Sequence, residues 1–261
     1  MDKLTVLIST LNSGIEKLKN VVAIENNFVQ YLVIQQISDN KKYEIPVFLQ
    51  REDIEVIQIE GKGLSKSRNA AIQNCKTKYA LIADDDLTYF DNSFEIILSK
   101  FRQNPDLALA TFKIKTPENE PKYKYYPNFS YNLNSHSMKK HRHWLSSVEI
   151  AFDVEKIRAA NIKFDEHFGL CAEIPTGEEH IFVKDVIDSN LQAIYFPEYI
   201  VSHPFESSGK IKLASKKYFF YKGAIHYRTG FTDRYPKNIK HFYYFCKGIL
   251  YEKKRKKQQN D

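Results

Sequence analysis

The fold is decided by one stretch, Tyr79-Ala80-Leu81-Ile82-Ala83-Asp84-Asp85-Asp86, in which five apolar residues run directly into three acids. The apolar part predicts a buried strand, and open α/β sheets bind ligands at the carboxyl ends of their strands. Adjacent carboxylates repel one another, so a cation or a hydroxyl-rich ligand is expected there. In an extended chain Asp84 and Asp86 would point to one side and Asp85 to the other. An acidic turn that caps the next element explains the triplet alone equally well.

Strand-like and helix-like segments alternate on either side of this stretch, which is typical of βαβ units. The strand-like segments are residues 4–10, 31–38, 54–59, 79–83 and 107–114. The helix-like segments are residues 15–26, 65–75 and 93–103. The sequence therefore predicts one Rossmann-like α/β domain with a mostly parallel central sheet flanked by helices.

The second half of the chain is less regular. Residues 117–144 contain three prolines and show neither helical nor strand spacing, which predicts a long loop or an acceptor-side insertion. A helix capped by Asp153 is expected next, followed by a helix from about Gly177 to Ser189. Two short strands are predicted at residues 192–196 and 199–202.

Composition limits the kinds of protein that the chain can be. The 261 residues can bury a sizeable core, and no apolar run is long enough to span a bilayer. The first residues lack the features of a secretory signal. Cys75, Cys171 and Cys246 are widely separated and match no zinc-binding spacing. We therefore expect a cytoplasmic protein with reduced cysteines.

Much of the net charge of +7 comes from one run, Lys253-Lys254-Arg255-Lys256-Lys257. It follows an aromatic segment that begins near Lys216. Such a run can be a solvated tail, a contact with an anionic membrane surface, or a nucleic-acid contact. The chain has no signature of a nucleic-acid-binding fold, so no nucleic acid is expected as a partner.

A glycine-rich segment, Gly61-Lys62-Gly63-Leu64-Ser65-Lys66-Ser67-Arg68-Asn69, lies between a predicted strand and a predicted helix. Ser65 can cap that helix, and Arg68 in its first turns is suited to binding phosphate. Strand-to-helix turns with a surface arginine are common, however, so the segment alone is weak evidence for a phosphate site.

Two adjacent acids open the later predicted helix in Gly177-Glu178-Glu179-His180. Acids in a first turn interact favourably with the helix dipole, which is sufficient to explain one of them. A carboxylate held ionised at a helix start is also suited to general-base catalysis on a sugar hydroxyl. His203 ends a predicted strand before Pro204, and it becomes a candidate ligand for Mn²⁺ only together with the acidic triplet.

The order of these motifs resembles that of the GT-A glycosyltransferases, particularly the inverting bacterial enzymes of family 2. The resemblance runs from about Leu4 to His203. The matching segments are Thr10-Leu11-Asn12, Gly63-Leu64-Ser65-Lys66-Ser67-Arg68-Asn69, Asp84-Asp85-Asp86, Glu178-Glu179 and His203.

The resemblance implies a role for each motif. Donor binding would involve Thr10, Asn12, Asp39, Arg68, Asp84 and Asp85. The metal, Mn²⁺ or Mg²⁺, would be bound by Asp86, Asp84 and His203, with the register in the triplet open by one residue. Glu179 would be the general base, with Glu178 beside it.

Two departures from the family pattern stand out. The second strand ends in Gln35-Gln36-Ile37-Ser38-Asp39, where the family has an Asp-rich turn that contacts the base. Glu179 also replaces the usual Asp, which adds one methylene to its reach.

The implied function is transfer of a hexose or N-acetylhexosamine from a nucleotide-sugar donor to a glycan or lipid-linked acceptor in surface polysaccharide synthesis. The donor is expected to be a UDP-sugar. Residues 1–206 would form the GT-A domain, and residues 207–261 an aromatic and basic extension packed on it, with a flexible tail that can contact the inner membrane face. A sugar-binding or regulatory module without turnover is the alternative. A nucleotidyltransferase is disfavoured, because the turn after the first strand lacks the glycines it needs.

Overall fold

The computed structural model describes residues 2–121, 124–141, 145–205, 216–230, 232 and 235–260. Within these residues, nine strands form one sheet and seven α-helices accompany it. The strands are β1 (Leu4–Leu11), β2 (Val29–Ile37), β3 (Ile54–Glu60), β4 (Tyr79–Ala83), β5 (Thr88–Tyr89), β6 (Leu107–Lys115), β7 (Tyr131–Asn132), β8 (Ile150–Asp153) and β9 (Gln192–Ser202). The helices are α1 (Leu64–Asn74), α2 (Ser93–Gln103), α3 (Ser135–Lys140), α4 (Val154–Ala159), α5 (Glu178–Asp188), α6 (Lys216–Thr229) and α7 (Ile239–Asn260).

The strand order is β3-β2-β1-β4-β8-β6-β9-β5, and β7 pairs with β9. Strands β1, β2, β3 and β4 run parallel to one another, and β6 is parallel to β9. Because β8 is antiparallel to both β4 and β6, the other strands on either side of it point in one direction, namely β1, β2, β3, β4, β6 and β9. The predicted α/β class is confirmed, and the carboxyl ends of the six strands lie along one edge of the sheet.

Burial explains the sequence pattern of the central strands. All five residues of β4 and seven of the eight residues of β1 are buried, because helices cover both faces of the sheet. Helix α2 buries Phe94, Ile97, Leu98 and Phe101, whose spacing places them on one face. Asp153 caps α4 as predicted, since its side chain accepts hydrogen bonds from the backbone N–H groups of Glu155 and Lys156.

The structure corrects three sequence-based predictions. Residues 15–26 do not form an α-helix, because a 3₁₀-helix at Asn12–Lys17 and turns to residue 22 bury the same apolar side chains. Residues 117–144 are not entirely irregular, since β7 and α3 lie within them, but both are too short to show a period. The two strands predicted at residues 192–202 are one strand, β9, which passes Pro197 by shifting its register against β6.

The last two helices pack closely against each other. A Cβ on Gly223 of α6 would lie 2.0 Å from the carbonyl oxygen of Phe245, and one on Gly248 of α7 would lie 1.9 Å from that of Phe220. The two glycines therefore allow the helix backbones to touch. Among the described residues, none of the helices is both long enough and apolar enough to cross a bilayer.

An ionic cluster attaches this helix pair to the rest of the molecule. Arg255 donates to Asp165 over 2.8 Å and to Glu252, which is fully buried, and Arg228 also bonds Asp165. Burial raises the pKa of Asp165, but hydrogen bonds from Arg255, His167 and Arg228 outweigh it and lower that pKa to about 2. The basic run expected as a solvated tail is thus helical to Asn260, and Arg255 within it is buried. Asp261 lies outside the described residues, and the domain division at residue 206 stays a prediction.

Candidate active site at the carboxyl ends of the strands

The three acids after β4 have three different partners. Asp84 Oδ1 lies 3.0 Å from Arg68 Nη2, and Asp85 Oδ2 accepts a hydrogen bond from Thr10 Oγ1 over 2.9 Å. Asp86 Oδ1 lies 3.4 Å from Nε2 of His203. The expected alternation does not apply, because the strand ends at Ala83 and the acids continue into a turn. The triplet therefore lies against three different parts of the chain at this edge of the sheet, namely α1, β1 and the residue that follows β9.

Arg68 lies at the centre of the site with 2% of its side chain exposed. Besides Asp84, it donates from Nη1 to Glu178 Oε1 over 2.9 Å. The guanidinium lies 5.5 Å from the ring centroid of Phe164. Removing a charge this deeply from water is unfavourable unless opposite charges accompany it. The structure thus makes Arg68 the link between the acidic turn and α5, and its contact with donor phosphates stays a prediction.

The start of α1 is fastened on two sides. Ser65 Oγ donates to the carbonyl oxygen of Phe168 over 2.6 Å, and the Leu64 N–H donates to that of Leu170 over 3.0 Å. On the other side, Ser67 Oγ donates to Ser9 Oγ of β1 over 2.8 Å. The Gly-Leu-Ser motif therefore positions Arg68 by binding protein groups at the helix start.

Glu178 and Glu179 open α5, as predicted. Burial and the nearby charge of Glu179 raise the pKa of Glu178 to about 8, although Arg68 opposes them. Burial also raises the pKa of Glu179, while its own backbone N–H, the charge of Arg68 and a side-chain hydrogen bond with Glu178 oppose that rise. Both carboxyls therefore bind protons more readily than an exposed glutamate does, and they titrate as a pair.

His180 lies beside the Glu179 carboxyl. Its Nε2 accepts a hydrogen bond from the Leu145 N–H over 3.0 Å, so the ring proton of the neutral imidazole is assigned to Nδ1. Nδ1 lies 3.2 Å from Glu179 Oε1. The sequence motif includes His180 but predicts no role for it. The indication of its burial in the sequence is its position near Ile181 and Val183, which the same helix buries.

The opposite end of the site is built around Asn12. Asn12 Oδ1 accepts from the Ser38 N–H over 2.9 Å, and its carbonyl oxygen accepts from Gln35 Nε2 over 2.8 Å. Gln35 is fully buried, which explains an amide in place of an acid on this strand. Asp39 accepts hydrogen bonds from the hydroxyl of Tyr43 and the N–H of Lys41 on the surface, beside this group.

Gly14 passes directly over the pair formed by Thr10 and Asp85. A Cβ at this glycine would lie 2.3 Å from Thr10 Oγ1 and 2.6 Å from Asp85 Oδ2, so only glycine fits. Burial raises the pKa of Asp85, and the charges of Asp86 and Asp84 raise it further. Thr10 and Asp85 thus lie in contact at the ends of β1 and β4, with Asn12 two residues after Thr10. Their role in donor binding stays a prediction.

Asp86 and His203 face each other at the sheet edge and remain the candidate ligands for the expected divalent cation. His203 Nδ1 lies 2.6 Å from the carbonyl oxygen of Pro204, so in the neutral ring Nδ1 carries the proton and Nε2 faces the carboxylate with its lone pair. Two acceptors that face each other attract a cation, and oxygen with imidazole nitrogen suits Mn²⁺. Among the described residues, no three His, Cys, Asp or Glu side chains are grouped to hold a metal. Asp84 is paired with Arg68 instead of joining these two.

A cavity of about 400 Å³ opens beside this pair, between the end of β6 and the following loop. Its lining includes Lys115, Glu120, Lys124, Tyr126 and Tyr199. The carbonyl oxygen of Lys115 accepts a hydrogen bond from the His203 N–H over 3.0 Å, which places the cavity next to the sheet edge.

Lys124 joins the cavity to a buried carboxylate. Its Nζ lies 2.8 Å from an oxygen of Glu149, which is fully buried and also accepts from the Tyr126 hydroxyl. Burial lowers the pKa of Lys124, while Glu149 and Glu179 oppose that effect. The sequence analysis missed Glu149, although Ser146 and Glu149 have the spacing of a capping box, and the Ser146 N–H donates to Glu149 Oε1 over 3.2 Å.

Comparison with known proteins identifies the family of this chain. The sequence model of glycosyl transferase family 2 matches residues 5–160, which is more than half of the chain. The chain belongs to this family. The family resemblance inferred from the motifs is thereby confirmed, whereas the individual roles of the site residues remain predictions. No curated protein sequence matches the chain.

Crystal structures of S. aureus TarS share the fold of this family member. The structure of TarS 1-349 has a TM-score of 0.63 at 14% identity, covering 95% of this chain and 72% of that chain. TarS 1-349 in complex with UDP-GlcNAc has a TM-score of 0.60 at 14% identity, covering 88% and 68%. Against a longer TarS chain the score is 0.62 at 14% identity, over 88% of this chain and 41% of that chain. At such identity the likeness establishes the fold alone.

We predict that Arg68→Met destabilises the protein by about 3 kcal/mol at neutral pH, because it leaves the buried Glu178 and Asp84 without their cation. Denaturant unfolding measures the change. Lys66→Met is the matched control, since Lys66 is exposed on the same helix, and it should change stability by less than about 0.5 kcal/mol. Equal stability of the two variants would show that Arg68 does not hold the site together.

Proposed function

We propose that this protein is an inverting glycosyltransferase that moves a hexose or N-acetylhexosamine from a nucleoside-diphosphate sugar to a glycan or lipid-linked acceptor in surface polysaccharide synthesis. The observation that carries the proposal is the chain of contacts from Asp84 through Arg68 to Glu178 and Glu179, which joins the proposed donor-binding turn to the proposed base. The TarS complexes with UDP and with UDP-GlcNAc support a UDP-linked donor for this fold.

The nucleoside of the donor lies at the ends of β1 and β4 in this proposal. Asn12 and the Thr10–Asp85 pair present hydrogen-bonding groups there, and the backbone of Gly14 packs closely against that pair. Asp86 and His203 would hold Mn²⁺ or Mg²⁺. When bound, such an ion supplies positive charge that neutralises the departing diphosphate.

Glu179 acts as the general base. It takes the proton from an acceptor hydroxyl while that oxygen attacks the anomeric carbon of the donor, and the bond to the diphosphate breaks on the opposite face. One displacement of this kind inverts the anomeric configuration. The hydrogen bond from Glu178 lowers the pKa of Glu179 and so favours its proton-accepting form, and His180 Nδ1 lies 3.2 Å from Glu179 Oε1.

We predict that Glu179→Gln lowers the rate of transfer by about 10²–10⁴-fold, because an amide cannot accept the proton. Donor affinity should stay within about twofold, since the change is isosteric and lies on the acceptor side of the donor. Turnover with a UDP-sugar and isothermal titration with UDP measure the two quantities.

Glu155→Gln is the matched control for this experiment, because Glu155 is an exposed glutamate in the first turn of a different helix, α4. It should leave transfer unchanged. Transfer by Glu179→Gln at a rate close to that of the unchanged protein would refute the assignment of the base.

We predict that Asp86→Asn and His203→Ala each reduce the Mn²⁺-dependent increase in donor affinity by about tenfold or more, because each removes one proposed metal ligand. A thermal-shift panel of UDP, UDP-glucose and UDP-GlcNAc, with and without Mn²⁺, measures it and identifies the donor. Asp91→Asn is the control, since Asp91 is an exposed acid in the following turn. An unchanged Mn²⁺ response in both variants would argue against this metal site.

The acceptor is proposed to enter through the cavity beside Lys115 and Lys124. Its aromatic walls, Tyr126 and Tyr199, are suited to stacking on sugar rings, and polar groups at its edge can bind hydroxyls. The electrostatic influence of Glu179 on Lys124 indicates that the cavity and the base are neighbours. Trp144, another aromatic candidate for acceptor binding, lies outside the described residues.

The outer face of α7 supports peripheral contact with the inner membrane face. Ile239, Phe242, Tyr243 and Leu250 are exposed on it, by 90%, 58%, 54% and 56%. Five exposed lysines accompany them, namely Lys240, Lys247, Lys253, Lys254 and Lys257. Glu252 is the only acid in the helix and is fully buried on the other face. An amphipathic helix with this composition binds anionic lipid surfaces.

We predict that the protein floats with vesicles containing phosphatidylglycerol but not with vesicles of phosphatidylcholine alone, and that salt weakens the binding. The double change Phe242→Ser with Leu250→Ser should reduce the bound fraction severalfold, because it removes the apolar contacts. Val47→Ser is the control, since Val47 is 82% exposed far from α7 in sequence. Equal flotation of all three proteins would dispose of membrane contact by this helix.

A further inference from the structure

A row of side-chain amides supports the end of the site where the nucleoside of the donor is proposed to lie. Gln35 of β2 is fully buried, and its Nε2 donates to the carbonyl oxygen of Asn12 over 2.8 Å. Its Oε1 accepts a hydrogen bond from Nε2 of Gln58 over 2.8 Å. Gln58 lies on β3, the edge strand of the sheet, where it is paired with Gln35 in the register. The amide row therefore links β3 through β2 to the residue that follows β1.

One carbonyl group determines the direction of every hydrogen bond in this row. Nε2 of Gln58 also lies 2.9 Å from the carbonyl oxygen of Tyr43, which can only accept. The nitrogen of Gln58 must then donate to Gln35, and the nitrogen of Gln35 must donate to Asn12. Turning the Gln35 amide over would bring two nitrogens together at one end and two oxygens at the other. The carbonyl of Asn12 is therefore held in one direction.

Asn12 has a backbone conformation that benefits from such support. Its φ of +52° lies in the left-handed region, which asparagine tolerates better than most residues but which still favours glycine. Its side chain is fixed separately, because Oδ1 accepts from the Ser38 N–H over 2.9 Å and Nδ2 donates to Ser38 Oγ over 3.2 Å. Gln35 thus holds the backbone of Asn12, and Ser38 holds its side chain.

Tyr43 connects the amide row to the loop that follows β2. Its hydroxyl donates to Asp39 Oδ2 over 2.7 Å, while its carbonyl oxygen accepts from Gln58. Asp39 directly follows Ser38, the residue that binds the Asn12 side chain. Gln58 consequently contacts both the buried amide that holds Asn12 and the loop that carries Ser38.

We propose that Gln35 and Gln58 are positioning residues for the donor, and that they act by holding Asn12 in its left-handed conformation at the nucleoside end of the site. The inference rests on the proposed placement of the nucleoside beside Asn12. An ionised acid in place of Gln35 could not donate to the Asn12 carbonyl, which gives a physical reason for an amide at this position of β2.

The test is a double-mutant cycle on the affinity for UDP, measured by isothermal titration. Gln35→Met has a side chain of similar length but cannot donate to the Asn12 carbonyl, so the dissociation constant of UDP should rise about fivefold. Asn12→Gly should raise it at least as much, because glycine accepts the left-handed backbone and only the side chain is lost. Adding Gln35→Met to Asn12→Gly should change the constant by less than about twofold, since Gln35 acts through Asn12.

Turnover gives a second measurement of the same effect. With the UDP-sugar that the thermal-shift panel identifies, Gln35→Met should raise KM by the same factor as the dissociation constant, while kcat stays within about twofold. Gln103→Met is the matched control, because Gln103 is an exposed glutamine at the end of α2. It should leave both KM and the affinity for UDP unchanged.

Gln58→Met replaces Gln35→Met if the latter does not fold, as judged by thermal unfolding, because Gln58 is exposed. It should weaken UDP binding about threefold, and this effect too should disappear when Asn12→Gly is present. A folded variant that binds UDP as tightly as the unchanged protein, or that loses the same factor with and without Asn12→Gly, would overturn the inference. Failure of the proposed function is distinguishable, because Asn12→Gly alone would then leave the affinity for UDP unchanged.

Discussion

The site depends on the pairing of one buried guanidinium with two carboxyl groups. Arg68 is surrounded by protein, so Asp84 on one side and Glu178 on the other must stay within hydrogen-bond distance of it. These partners belong to the end of β4 and the start of α5. Because one guanidinium binds both carboxyls, the position of the sheet edge and that of the proposed catalytic helix depend on each other. Moving a single loop would break one of the two contacts.

The same pairing explains how three adjacent acids can be tolerated. The guanidinium of Arg68 stabilises Asp84 and the hydroxyl of Thr10 stabilises Asp85, so these two acids do not share a partner. Asp86 instead faces His203 Nε2 at 3.4 Å. Only Asp86 is left in a position where a carboxylate and a ring nitrogen face each other, which is why the metal is proposed there.

Local patterns in the sequence were sufficient for the parallel strands β1, β2, β3, β4 and β6 and for the motif-bearing helices. The apolar run of β4, the spacing in α2 and the acids that open α5 are all short-range signals. Strands β5, β7 and β8 were not predicted, because they have only two to four residues and show no period. The contacts that organise the site are long-range. Arg68 and Glu178 are 110 residues apart, and nothing near either residue indicates which carboxyl the arginine will meet.

The bond between Asp165 and Arg255 spans 90 residues of chain. During translation, every strand of the sheet leaves the ribosome before the arginine that fastens the segment behind α1 and α5. A nascent chain can therefore assemble its sheet while the helix that carries Glu179 still lacks α6 and α7 against it. The geometry of the proposed site is in this sense completed only after Arg255 of α7 has been synthesised.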